Sequence, residues 1–506
     1  AGHVRRERQH CEAMLAFRFD NSYARLPERF YARLAPTPVR DPRVVKVNVA
    51  LAETLGLDAE ALASPDAAQV FSGNVLPAGA EPLAQAYAGH QFGASVRQLG
   101  DGRAILLGEV VGVDGARWDV QLKGAGRTPF SRGGDGRSAL GPVLREYVVS
   151  EAMAALGVPT TRSLAAVTTG EQVVRERLLP GAVLTRVAQS HLRVGTFEYF
   201  AARADHPALA ALTEYALQRH YPSANVAARA HAALALLEGV IEAQAALIPL
   251  WMGVGFIHGV MNTDNTLISG ETIDYGPCAF LDEYDPNKTF SSIDHGRRYA
   301  FGKQPLNAQY NLARFAETLL PLLSDDEKDA IRIATERLDR FDSLFQRKYL
   351  AVLRAKLGLR REEDGDLELA TDLLRQLAAH RVDHTLFFRG LCDAAEDPGG
   401  EGQLVALFSE PQGFQTWLRA WRQRLEREVE PAAARAANMR RSNPAFIPRN
   451  HRVEAAIEAA TEREDFGPFE ALVEALARPF EDQPRFSELT LAPRPEERVL
   501  QTFCGT

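Results

Sequence analysis

Apolar positions change their rhythm along the chain. Between residues 71 and 187 they come in short β-type runs broken by glycine turns, and beyond residue 205 they recur at helical spacing. In the first region, residues 105–113 predict a strand, Asp114-Gly115 a hairpin turn, and residues 118–122 a return strand ending at Lys123. Residues 142–156 predict a helix with Pro142 at its first position and Gly157 as its stop. Residues 161–167 and 173–178 predict a second hairpin around Thr169-Gly170, followed by a β run at 182–187. Residues 205–255 read as helical, with 226–250 apolar on most faces as in a buried helix. Residues 267–268 and 272–273 are short β-type runs around Ser269-Gly270, which suits a tight hairpin. Residues 308–430 are mostly amphipathic helices, and 452–461 a further helix. Near the start, residues 44–57 also show helical spacing.

These elements predict an α+β protein in five parts. Residues 1–14 are a leader or tag expected to be disordered, and 15–70 an N-terminal extension packing on the body. A β-rich lobe spans 71–187, a helical lobe 188–430, and a C-terminal extension with a terminal cysteine tail 431–506. The 506 residues exceed one ordinary core, which agrees with several parts. A net charge of −8 argues against a nucleic-acid or anionic-membrane partner, either of which favours a basic surface. Cys11, Cys278, Cys392 and Cys504 form no CxxC pair, so neither a structural zinc site nor a disulfide framework is expected, and a reducing, cytoplasmic compartment is. The most apolar run, 243–257, is shorter than a membrane span and contains Gln244 and Pro249. A monomer is the favoured state.

Candidate chemistry concentrates after the long helix. The feet of the hairpin predicted there carry Asn265 and Asp274, with Asp264 beside the first. An amide oxygen and two carboxylates are hard donors suited to Mg²⁺ or Mn²⁺, with phosphate oxygens completing the shell. Protein kinases have the same order: a catalytic loop, an Asn, a hairpin, then Asp-Phe-Gly with its Asp on metal. With Asp274-Tyr275-Gly276 in place of that triplet, the α+β pattern reads as a protein-kinase-like bilobal fold. Its N-lobe is β-rich with a Glu-bearing helix, its C-lobe is α-rich, and N-terminal and C-terminal helical extensions are added. The kinase pattern fails at its base Asp, because His258-Gly259-Val260 replaces His-Arg-Asp. Asp264 is the nearby carboxylate left to accept a proton. A plain hairpin with solvated acids fits the same short pattern.

Lys123, closing a strand, and Glu146, in the following helix, match the kinase Lys–Glu ion pair; a surface Lys and a solvated Glu fit as well. Gly100, Gly102 and Arg103 form a turn whose backbone N–H groups and charge suit phosphate, or an ordinary hairpin. Residues 124–141 hold six glycines with Arg127, Arg132 and Arg137, as in a mobile loop over a polyanion or in a linker. Arg186 and Arg193 suit a planar phosphate fork, and equally one surface and one structural arginine. His258 is expected to be a core hydrogen-bonder. Cys504, near the C-terminus, is a candidate redox-accessible thiol.

Several longer strings resemble the selenoprotein O family, called YdiU in bacteria. They are Tyr87-Ala-Gly-His-Gln-Phe-Gly93, Gln98-Leu-Gly-Asp-Gly-Arg103, Gln121-Leu-Lys-Gly-Ala-Gly126, Pro159-Thr-Thr-Arg162, His258-Gly-Val-Met-Asn-Thr-Asp-Asn265, Ile273-Asp-Tyr-Gly-Pro277 and Ile447-Pro-Arg-Asn-His451. They occur in family order from about residue 15 to the end. Members resemble pseudokinases understood to bind ATP in a flipped pose and transfer AMP to Ser, Thr or Tyr hydroxyls of proteins. The resemblance implies nucleotide contacts from Gly100, Gly102, Arg103, Lys123, Asp135, Gly136, Arg186, Arg193 and Asp274. It implies metal ligation by Asn265 and Asp274, Asp264 as proton acceptor, ATP with Mg²⁺ or Mn²⁺, and protein substrates. It also implies a cytoplasmic protein if bacterial and a mitochondrial one if eukaryotic. Family members end in Cys or selenocysteine followed by two serines, whereas here Cys504 precedes Gly505-Thr506. With Phe290 to Ser292 at the place of its partner, this argues against an internal disulfide. UMP transfer from UTP with Mn²⁺, γ-phosphoryl transfer and a non-catalytic nucleotide-binding scaffold are the competing functions. The His-Gly-Val replacement weakens the kinase reading. Retention of Lys123, Asp264, Asn265 and Asp274 weakens the scaffold.

Overall fold

The computed structural model describes residues 15–58, 62, 65–223 and 229–503. The leader expected at 1–14, the thiol of Cys504 and the first residues of the stretch expected at 226–250 lie outside the described residues.

The first part of the chain builds an antiparallel sheet. Its strands are β1 (Tyr31–Arg33), β2 (Arg43–Val47), β3 (Leu83–Gln85), β6 (Ala104–Val111), β7 (Arg117–Lys123), β8 (Ser138–Ala139), β9 (Arg162–Val174) and β10 (Leu178–Ala188). They lie in the order β1-β3-β6-β7-β10-β9-β2, with β8 against β10. A separate ribbon pairs β4 (Gly89–Gln91) with β5 (Ala94–Val96). The β6–β7 hairpin turns at Gly115 (φ +80°), as its sequence predicts.

Three expectations are corrected here. First, β9 runs straight through Thr169-Gly170, and the turn comes at 175–177. Gly170 (φ +70°) sits in a bulge, where the register jumps from Pro180↔Gln172 to Ala182↔Thr168 and Asp41 donates its N–H to Thr169 O at 3.1 Å. Second, residues 44–57 do not form one helix. Val44, Val45 and Val47 are β-branched and lie in β2, where Val44 and Val47 pair with β9 and Val45 falls at a register shift; helix is confined to Val49–Thr54, capped by the Asn48 side chain. Third, residues 15–70 add strands to both edges of the sheet, so this stretch is a structural part of it and not a helical annex.

Helix α1 (Leu140–Ala155) crosses behind the sheet. It begins two residues before the predicted start, which leaves Pro142 in the first turn where its missing N–H costs nothing. Gly157 (φ +79°) ends it: Gly157 N–H donates to Ala154 O at 3.0 Å and Val158 N–H to Met153 O at 2.9 Å. The second part is helical, with α2 (Val194–Ala201), α3 (His206–His220), α4 (Arg229–Val254) and α5 (Gln304–Leu323) followed by further helices through residue 425. By length and composition the segment Ala232–Val254 of α4 could cross a membrane, but here it lies in the largest core cluster, where Leu236, Leu237, Ala245 and Ile248 are fully buried. Two late helices, α6 (Asn450–Arg463) and α7 (Gly467–Leu476), pack on α1 through Val453, Ala456, Phe469 and Leu472.

Candidate active site

The segment after α4 is held from several sides. Strands β11 (Phe256–Ile257) and β12 (Ala279–Phe280) pair and bracket it. His258 is buried, accepts Val260 N–H at Nδ1 and donates Nε2–H to Ile273 O at 2.8 Å. Burial holds its pKa below the usual imidazole value, so the neutral form is favoured, as is expected of a core hydrogen-bonder. The hairpin predicted at 267–273 is corrected in part. The turn exists, with Gly270 N–H to Leu267 O at 3.2 Å, but the flanking runs do not pair with each other. Leu267 bridges to Arg193 and Thr272 to Thr160. Outside partners, including Trp251 Nε1–H to Thr272 Oγ1 at 2.8 Å, take the place of a self-contained ribbon.

Asp274 is the hub of the site and holds a left-handed backbone (φ +63°), rare outside glycine. Its Oδ1 accepts Lys123 Nζ at 2.8 Å and Arg186 at 2.7 Å, and its Oδ2 accepts Arg193 at 2.8 Å. Glu146, brought in by α1, takes Lys123 Nζ at 2.5 Å on one oxygen and Arg186 at 3.0 Å on the other. The Lys–Glu pair and the two arginines therefore converge on one carboxylate, in place of one surface and one structural arginine. Burial alone would raise the Asp274 acid, but Lys123, Arg186 and Arg193 outweigh it and hold its pKa well below the usual carboxylate range. The same balance keeps Glu146 ionised. Gln121 fixes the Arg186 guanidinium through bonds at 3.2 and 2.7 Å. The ring of Tyr87 lies 4.6 Å from the Arg193 guanidinium carbon.

Asp264 is tied to this hub through Arg193, whose Nη1 donates to the Asp264 backbone oxygen at 2.6 Å as well as to Asp274. Its carboxylate is buried, with Oδ2 accepting Gln91 Nε2 at 3.1 Å and Oδ1 left without a hydrogen-bond partner. Desolvation raises its pKa to about 6, with a smaller push from the charge of Asp274. The Gly89 position explains the tight fit, since a Cβ there would stand 2.5 Å from that Oδ1. The next residue, His90, donates its N–H to Thr263 Oγ1 at 2.6 Å, and Thr263 donates to Glu198 at 2.5 Å. Asn265 donates its amide N–H to Val260 O at 2.9 Å, which turns its amide oxygen away from that carbonyl.

Other predicted residues sit at greater remove from Asp274. Gly100 (φ +89°) and Gly102 lie under the 128–131 loop: Thr128 donates to Asp101 O at 2.6 Å, and a Cβ on Gly102 would reach Phe130 O at 2.9 Å. Asp135 pairs with Arg175 at 2.8 Å, Gly136 N-caps no helix but accepts Gly126 N–H at 3.0 Å, and Arg137 donates to Thr37 O and Pro38 O. The glycine-rich loop is thus pinned at its far end, while Arg127 and Arg132 are exposed. Arg103 and Lys123 line a cavity of about 20 Å³ with Glu146 and Gly276. The predicted residues do not include Gln91, Gln121, Tyr87 or Glu198, which position the ones they do. Gln91 and Tyr87 lie inside the Tyr87–Gly93 string, so the signal was present without a role attached. Among the described residues no cluster of three His, Cys, Asp or Glu side chains could hold a metal ion by itself. Cys278 is buried, its thiol pushed up to about 12 by burial, and among the described residues it forms no disulfide.

Comparison with known proteins gives the family. The family model described as "Protein adenylyltransferase SelO" matches residues 13–477. A protein of Rhodopseudomonas palustris (strain BisB5), "Protein nucleotidyltransferase YdiU", is 60% identical over 490 residues, covering 97% of this chain and 99% of its own length. A protein of the same name from Rhizobium meliloti (strain 1021) is 59% identical over 493 residues, covering 97% of this chain and all of its own. A third, from Methylorubrum populi, is 60% identical over 496 residues, with 97% and 99% covered. With the Lys123–Glu146–Asp274 cluster and Asp264 lying inside the matched stretch, the chain belongs to the SelO family of protein nucleotidyltransferases.

Proposed function

We propose that this nucleotidyltransferase moves AMP from ATP to Ser, Thr or Tyr hydroxyls of other proteins and releases pyrophosphate. The carrying observation is the pairing of a strongly cationic pocket around Asp274 with a buried carboxylate, Asp264, whose Oδ1 has no partner. In this reading the sheet region and the helical region act as kinase-like lobes meeting at Asp274. Lys123, Arg186 and Arg193 exchange part of their pairing with Asp274 for phosphate oxygens, which hold two or three charge-assisted bonds each. Gly100, Gly102, Arg103, Asp135 and Gly136 would line the rest of the path of the triphosphate once the 128–131 loop lifts. The substrate hydroxyl gives its proton to Asp264 as its oxygen bonds to the α-phosphorus. The bond from that phosphorus to the bridging oxygen breaks, and pyrophosphate carries away the electron pair. A carboxylate raised to about 6 is still ionised at neutral pH and is a better base than an ordinary Asp.

The residues fit a hard divalent cation. The amide oxygen of Asn265 and the carboxylate of Asp274 are the hard oxygen donors that would hold it, with phosphate oxygens completing the shell. Such an ion, Mg²⁺ or Mn²⁺, would neutralise charge on the triphosphate and its leaving group. Incubation with ATP labelled at the α or the γ phosphate tests the reaction. Label on protein from α alone is expected, and label from γ alone would exclude AMP transfer. Asp274→Ala should abolish turnover and also cost roughly 3–5 kcal/mol of stability, because buried Arg193 loses its carboxylate partner while Lys123 and Arg186 are left to share Glu146. Wild-type turnover in that variant would defeat the assignment.

A further inference from the structure

A groove of about 730 Å³ opens on the helical region beside the catalytic segment. Its floor is apolar, from Leu306, Ala313, Leu338 and the ring of Tyr310, and its rim carries Arg298 and Lys303. No Asp or Glu lines it. Leu306 is 65% exposed and stands beside the ring of Tyr310 and Ala313 in the lining, so the groove presents a contiguous apolar surface. Among the described residues the exposed Arg297 and Lys303 and the half-buried Arg298 form no ion pair. Lys303 spends one N–H on Arg297 O at 3.0 Å. Arg298 lies over the face of Tyr310 at 4.8 Å, and Arg314 is on the same ring at 5.2 Å. In a chain of net charge −8, two cations without a carboxylate partner on the rim of an apolar trough, with Arg297 next to them in sequence, give this face a local positive charge.

The groove is joined to Asp264 by short links. Gln91 donates to the Asp264 carboxylate, and the adjoining Phe92 N–H donates to Asn262 Oδ1 at 3.0 Å. Tyr299 O–H donates to the same Asn262 oxygen at 2.6 Å, and its ring stands 5.2 Å from the half-exposed Phe92. The next residue, Gly93, has its Cβ direction 3.5 Å from the Arg298 guanidinium. The β4–β5 ribbon therefore has the proton acceptor at one end and the groove at the other.

We infer that this groove docks the protein substrate, taking an acidic segment with an apolar anchor that flanks the accepting hydroxyl. The apolar anchor would cover Leu306 and Tyr310, and the acidic side chains would meet Arg297, Arg298 and Lys303. The inference rests on the AMP-transfer reading for its purpose, but not for its binding. A random copolymer of glutamate and tyrosine, fluorescently tagged, is the probe; a lysine–tyrosine copolymer carries the same hydroxyls with the opposite charge. The full chain should bind and modify the acidic polymer at least about tenfold better than the basic one. In Lys303→Glu, an exposed site outside the machinery described above, KM for the acidic polymer should rise about fivefold, while kcat and the KM for ATP stay unchanged; Lys303→Arg should restore it. Unchanged affinity in Lys303→Glu, or equal preference for the two polymers, overturns the inference. Tighter binding of a single-stranded oligodeoxythymidylate than of the acidic polymer also overturns it, in favour of a nucleic-acid site. If the polymers bind as stated and no AMP is transferred to either, the groove stands and the reaction assigned above falls.

Discussion

Gly89 and Asp264 show how one missing side chain sets the chemistry at the scale of a residue. Gly89 has an ordinary strand backbone, so alanine is conformationally allowed there, yet its Cβ would press on Oδ1 of Asp264 at 2.5 Å. Gly89→Ala should therefore lower kcat about tenfold or more by displacing the base, with a stability loss of only about 1–3 kcal/mol from overpacking. Steady-state kinetics beside thermal unfolding would separate the two, and wild-type kcat would remove Asp264 from the base role. The raised pKa of Asp264 carries its own prediction. A buried acid lifted from the ordinary aspartate value to about 6 costs the fold nothing below the unfolded pKa, where both states are protonated. The cost grows as pH rises towards 6 and is constant above it. Asp264→Asn should then be more stable than wild type near neutral pH, by up to about 3 kcal/mol, and the gap should close near pH 4. Denaturant midpoints at the two pH values check this. Wild-type turnover should fall as pH drops through about 6, while the Asn variant is inactive throughout. Both residues stand within strings that are recognisable in the sequence. Their contact, spanning 175 positions of chain, is not, because nothing in spacing tells that a ribbon folds over a loop.

Helices and strands differ in how much of themselves they announce. Helix α1 is legible from its Pro142 and Gly157, and the β6–β7 hairpin from Asp114-Gly115, because local backbone chemistry decides both. The long β9–β10 pair is misread at Gly170, since a bulge glycine and a turn glycine have the same positive φ and only the partner strand distinguishes them. The loop at 267–273 is misread because its β-type residues find partners at Arg193 and Thr160, and those long-range bonds override the local preference for a hairpin. The contact of α1 with the C-terminal helices is likewise illegible, although it places Glu146. Arg145, next to Glu146, pairs with Glu454, and Lys46 pairs with Glu470 at 2.5 Å. Tyr147 meets Phe469 edge-on with centroids 5.7 Å apart, and Phe469 is fully buried. Phe469→Ala should cost about 3–5 kcal/mol in denaturant unfolding through the lost ring and the cavity left behind. It should also lower kcat well below the unfolding temperature, because a looser α1 holds Glu146 less firmly on Lys123. A full loss of stability with untouched kcat would show that α1 is fixed by the sheet alone.

On the scale of the whole molecule, distant parts of the chain close on the sheet and on the segment after Asp274. Strands β1 and β2 form the two edges of the sheet, and the chain at Thr502 returns to the segment that follows Asp274. Thr502, itself buried, donates its N–H to Phe290 O at 2.7 Å and accepts Ser292 N–H at 2.9 Å. Its hydroxyl donates to Pro277 O at 2.5 Å, and Pro277 is three residues from the hub carboxylate. The peptide bonds from 275 to 292 have little regular structure to stiffen them, so a tail strapped across them restricts the backbone that holds Asp274 in its left-handed conformation. Removing the chain from residue 501 onward forfeits these three hydrogen bonds, worth roughly 1 kcal/mol each. The expected result is a fall of a few degrees in unfolding temperature, together with faster amide hydrogen exchange confined to about residues 275–292. Turnover should drop with little change in the KM for ATP, because the tail steadies Asp274 without touching Lys123, Arg186 or Arg193. If exchange in that segment is unaltered while turnover falls, the tail acts elsewhere than on the backbone of Asp274. If both are unaltered, the left-handed turn is held by its three cations alone, and the end of the chain is dispensable to the chemistry.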